Sequence, residues 1–208
     1  MIWSPGRDRI ADLLASGELE SVAPDTELAA RLLADSKRHL EAARSAVGLG
    51  DLTGAYQLAY DALRKAAAAL LAVQGLRATS RGGHIAIQDA VQAQFGGPGS
   101  PFPSFGRIRR SRNSYEYPDS DGAGPDHADV DDADVDDAVR VSRDALTAGR
   151  VLIDTGHLVR WSRTAPGSSG RRKHPSTWTV EPSDAHPRGT SGVAHGDVAH
   201  SYRPPGGR

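Results

Sequence analysis

The sequence predicts an all-α protein, an up-and-down bundle of four to five helices followed by a disordered C-terminal tail. Three observations carry this. Apolar residues recur at helical spacing, turn and cap residues punctuate those stretches, and no alternating apolar–polar run signals a strand. The chain divides into a short N-terminal helix and linker at 1–24, a bundle at 25–160 and a tail at 161–208.

Asp8 to Ser16 reads as a short amphipathic helix stopped by Gly17. Asp25 or Thr26 caps a second helix, on which Leu28, Leu32, Leu33, Leu40, Ala43 and Val47 share a face, and Gly48 and Gly50 end it. Asp51-Leu52-Thr53 opens a third, which runs to Gln74 with Gly75 after it. There Tyr56, Leu58, Tyr60, Leu63, Leu70 and many alanines leave only a narrow polar strip around Asp61, Arg64 and Lys65. Apolar residues on most of the circumference mark a central helix packed on several sides. A fourth helix spans about Ile85 to Phe95, and Gly96 to Pro101 is a loop. A basic fifth helix runs from Phe105 to Tyr117, where Pro118 ends it. The last starts among the aspartates near 131–134 and continues through Leu158.

Composition excludes several classes. The 208 residues carry a formal net charge of −1 and no cysteine, so disulfides, zinc–thiolate sites and cysteine nucleophiles are ruled out. No apolar run is long enough for a membrane span, and the first residues do not resemble a secretory leader, which makes a cytoplasmic protein the expectation. After about Ser162, Gly, Pro, Ser, Arg and His dominate, too polar a mixture to offset the entropy of ordering. The acidic run from Asp119 to Asp137 lacks the closing Glu of a calcium loop and reads as a charged helix start. His84 follows Arg81-Gly82-Gly83, an anion-friendly turn without the spacing or Lys-Ser/Thr of a P-loop, and reads as a cap or packing residue. No metal or cofactor is expected.

The segment Phe105 to Pro118 gathers the chemistry. As a helix it sets Arg109, Arg112 or Asn113, and Glu116 in successive turns, with Arg107 and Arg110 adding positive charge. Guanidiniums give planar forked donors for phosphate, an amide orients a hydroxyl, and tyrosine rings stack on bases. The plainer reading is an ion-paired helix end, Arg112 with Glu116, and tyrosines in the core.

A leading helix, the alanine-rich Ala55 to Ala67, a turn with His84, and an Arg112-Asn113 helix ending in Tyr117-Pro118 together resemble the HEPN superfamily (higher eukaryotes and prokaryotes nucleotide-binding) over about 28–158. The resemblance implies a bundle that is usually a homodimer. Two copies of a motif (arginine, a polar residue and, a few residues on, a histidine) meet there and cleave RNA without a metal. It implies a toxin paired with a nucleotidyltransferase antitoxin or a role in phage defence, while other members only bind. Arg112 and Asn113 match the first two positions, whereas Tyr117, Pro118 and Asp119 stand where the histidine falls. The residues carried over are thus Arg112 for phosphate charge and Asn113 for the backbone; Glu116 or Tyr117 would take over the proton in place of the histidine, and the basic segment itself offers Arg107, Arg109 and Arg110 for holding nucleic acid. The other expectation is a non-catalytic helical module for dimerisation or partner docking.

Overall fold

The computed structural model describes residues 5–116, 130–156 and 158–162. Its elements are α1 (Arg7–Ala15), β1 (Leu19–Ser21), α2 (Thr26–Gly48), α3 (Leu52–Gln74), β2 (Leu76–Ala78), α4 (Gly83–Phe95), α5 (Phe105–Glu116) and α6 (Asp132–Asp154), with a 3₁₀ turn at Phe102–Ser104 leading into α5. The architecture is an all-α bundle. Each of the three longest helices starts on an aspartate that accepts a free first-turn amide. Asp25 takes Leu28 N at 2.7 Å, Asp51 takes Gly54 N at 2.8 Å, and Asp131 takes Asp134 N at 2.8 Å. Gly75 closes α3 at φ 72°, with Val22 O only 2.6 Å from where a Cβ would stand.

Helix α3 is the axis, buried on most sides and packed between α2 and α6. Small residues let the backbones come close enough for hydroxyls to reach across. Ser36 of α2 donates to Ala62 O at 2.8 Å, and Ser142 of α6 donates to Ala59 O at 2.7 Å. Gly149 of α6 lies against Leu33 and the carbonyl of Ala66. Helices α4 and α5, with the 3₁₀ turn between them, cover another side of α3 and carry Phe95, Phe102 and Phe105, all buried.

Three features differ from the sequence reading. A two-stranded antiparallel ribbon pairs Leu19 with Ala78, Glu20 with Arg77 and Ser21 with Leu76. Three residues are too few for an alternating pattern to show, and the partners are brought together by the helices between them. The N-terminal region is more than a helix and linker, because Ile10 and Leu13 are fully buried in the common core and α1 packs on α4. Helix α6 stops at Asp154 with Gly156 at φ 63°, short of Leu158. Leu158 and Trp161 return to the core instead, and Trp161 N donates to Gln74 O at 2.9 Å. Among the described residues no helix is long and apolar enough to cross a membrane. The tail from 163 onward and residues 117–129, with Tyr117 and most of the acidic run, lie outside the described residues.

Candidate anion-binding site

Four arginines crowd into six positions of α5, and a helix turns 100° per residue, so they cannot all share one face. The structure splits them. Arg107 turns to α6 and pairs with Asp137, while Arg110 points outward and is exposed. Asp137 also takes Arg140, and against its desolvation the hydrogen bonds and charges of these two arginines together hold the carboxyl below its ordinary range. Arg109 and Arg112, one turn apart, face α3 and α4 together.

Both are held by neutral amides. Arg109 Nε donates to Gln88 Oε1 at 2.9 Å, and Arg112 Nε donates to Gln57 Oε1 at 2.6 Å. Asn113 is exposed and accepts from Arg112 Nη1 at 3.2 Å, so it is a neighbour of the cluster rather than its centre. The side chain of Glu116, at the last residue of α5, lies outside the described part, and with it the expected Arg112–Glu116 pair.

The centre is a residue that the sequence assigned to the core. Tyr60 of α3 is 1% exposed, stacks edge-on against Phe105 at 6.1 Å and carries the Arg112 guanidinium 5.7 Å from its ring centroid. Its hydroxyl is 2.9 Å from His84 Nδ1. Burial pushes the Tyr60 phenol above its ordinary value, against the pull of Arg64, Arg112 and Arg109. Desolvation lowers His84 below 6.5, with Arg64, Arg112 and Arg109 acting in the same direction and Asp61 opposing them. His84 counts as exposed overall, so this burial belongs to the Nδ1 edge that meets Tyr60. Exchange of protons with a ligand or solvent therefore falls to Nε2. Arg64, one turn along α3, is held by Asp61 at 3.1 Å.

The Arg112 guanidinium and the His84 imidazole thus meet at one neutral phenol, with the charges of Arg64 and Arg109 also acting on it. The chemistry this suits is an anion with several oxygens, because forked donors and an imidazole N–H can each take one. Residues Tyr60, Arg64, Gln57 and Gln88 were missed by the sequence reading. A signal existed: Gln57, Tyr60, Asp61 and Arg64 fall on one stripe of an otherwise apolar helix. The remaining tyrosines of the segment behave differently. Tyr115 packs edge-on against Tyr56 at 5.1 Å and donates to Asp134 Oδ2 at 2.8 Å. Desolvation and then this carboxylate drive its pKa well above the ordinary phenol value. Among the described residues no group of His, Asp and Glu is arranged to hold a metal ion.

No family model, curated protein or solved structure matches the chain.

One pH effect follows from the histidines. His39 of α2, beside Asp61, Lys65, Asp35 and Arg64, is also held below 6.5, first by desolvation, and its Nδ1 is buried without a hydrogen-bond partner. Both imidazoles bind protons more weakly in the folded chain than in the unfolded one. Stability is therefore full above 6.5 and declines as pH falls from there through the lower folded values of His39 and His84. Urea midpoints measured between pH 7.5 and 5, an interval chosen on the order of the imidazole range, are expected to fall, and His39→Gln to flatten that decline.

Proposed function

We propose that this is a HEPN-like RNA- or nucleotide-binding protein, working in a toxin–antitoxin or defence setting, that grips phosphate through Arg64, Arg109 and Arg112. The observation that carries the reading is the Arg112 guanidinium lying over Tyr60 beside His84, within the field of Arg64 and Arg109. Phosphate recognition needs that combination of forked donors and fixed orientation, and Gln57 and Gln88 supply the orientation. Metal-independent cleavage of RNA in the resembling family relies on a histidine whose place falls at Tyr117, Pro118 or Asp119 here, so binding is the activity this chain's residues support. A second copy of the chain and a nucleotidyltransferase antitoxin are the protein partners that the resemblance implies.

The alternative, a docking module, draws support from one half of α5. Arg107 and Tyr115 are engaged with Asp137 and Asp134 of α6 and serve structure. That role does not extend to Arg109, whose Nε donates to the neutral amide of Gln88.

Retention of labelled single-stranded RNA tests the reading. Three phosphate contacts give a slope of about −2 in log affinity against log salt for a single strand. Arg112→Ala is expected to weaken binding and shorten the slope by about 0.7. Binding that is independent of salt and of Arg112 would refute it.

A further inference from the structure

Beside the arginine cluster lies a groove of about 200 Å³, lined by Thr53, Gly54, Tyr56, Gln57, Arg112 and Tyr115. Gly54 contributes no side chain to it, and its backbone N–H is held by the Asp51 carboxylate that caps α3. Arg112 belongs to both places. It forms one wall of the groove, and its guanidinium lies over Tyr60 beside His84.

We infer that the groove seats one unpaired nucleobase, whose own phosphate lies on Arg112 and Arg109 toward His84. This deepens the phosphate-binding reading and rests on it. Size is the first argument: the groove falls below the roughly 300 Å³ at which pockets begin to hold drug-sized molecules, so it suits a single flat ring. Wall chemistry is the second. Tyr115 gives aromatic surface over the buried Tyr56, Gln57 gives an amide for base edges, and the Tyr115 phenol stays neutral because its pKa is raised.

Charge fixes the direction. The Tyr115 end faces the start of α6, where Asp134 and Asp131 act on that phenol, so a phosphate is repelled there and the amino group of a base is welcome. At the opposite wall Arg112, whose guanidinium lies over Tyr60, attracts the phosphate. A base in a duplex is stacked and paired and cannot enter, so the seat selects unpaired nucleotides, in a strand or free.

Titrations of the full chain with four probes decide this: a single-stranded RNA, the same strand in a duplex, a 5′-mononucleotide, and inorganic phosphate. The single strand is expected to bind about tenfold or more tighter than the duplex, the scale of one base–aromatic stack. Thr53→Trp, at an exposed first-turn position of α3, fills the groove, and Tyr115→Leu removes one ring. Each should bring the two affinities to within about twofold while the salt slope persists. A mononucleotide that outcompetes phosphate assigns the seat to free nucleotide as well; competition by the strand alone assigns it to RNA. Equal binding of strand and duplex by the parent chain, or full preference kept by both variants, overturns the base seat. Salt-sensitive, Arg112-dependent binding in those same titrations leaves the phosphate grip standing, and no binding of any probe removes both.

Discussion

Arg112→Ala is expected to weaken binding of single-stranded RNA by about 10- to 150-fold, the loss of one charge-assisted hydrogen bond worth about 1.5–3 kcal/mol. Its guanidinium is fixed before any ligand arrives, by Gln57 at 2.6 Å and by the face of Tyr60. Such a group gives up little entropy on binding, which places it toward the upper end of that range. Arg112→Lys should recover only part of the affinity. It keeps the charge but lacks the fork that reaches Gln57 and a phosphate together. Fold stability should change by about 1–2 kcal/mol, since the side chain is half-buried and its hydrogen bonds to Gln57 and Asn113 are lost. Filter binding with a thermal melt on the same samples separates the two effects.

Phe105→Ala is expected to produce the largest loss of stability, about 3–5 kcal/mol, and a drop of roughly 10 °C in melting temperature. Helix α5 is the most polar of the helices, and its hold on the bundle rests on a few apolar anchors. Phe105 and Ile108 are fully buried, and Phe105 packs edge-on against Tyr60. Removing the ring leaves a void beside the very phenol on which Arg112 lies, so binding should fall with stability. A domain of this size has about 5–15 kcal/mol in total, so the variant sits near its folding threshold. Phe105→Leu, which fills most of the space, should retain most of both. Calorimetry of the two variants checks the order.

The fold was legible where local rules act alone. Asp25, Asp51 and Asp131 cap helices for a reason that needs no tertiary context, and Gly75 ends α3 because its left-handed conformation suits glycine. The crowded apolar circumference of α3 announced a central helix. The β1–β2 ribbon was hidden because six residues far apart in sequence carry no periodicity, and the return of Leu158 and Trp161 depends on where α6 breaks. In the site, Arg109 and Arg112 were legible as a basic pair one turn apart. Tyr60 was not, because a tyrosine among alanines and leucines reads as core and only the crossing of α4 gives its hydroxyl a partner. His84 reads as a cap or packing residue for the same reason: its place beside Tyr60 and Arg112 is set by how α3, α4 and α5 cross.

The most direct test is the NMR titration of the His84 imidazole, assigned by its absence in His84→Gln, with and without saturating single-stranded RNA. In the free chain its midpoint should lie below 6.5, held there by burial and the surrounding arginines. A phosphate bound among Arg64, Arg109 and Arg112 brings negative charge to the ring and should move the midpoint upward, with binding strengthening as pH falls through that range. RNA that binds while the His84 titration stays unchanged would show that the anion sits elsewhere.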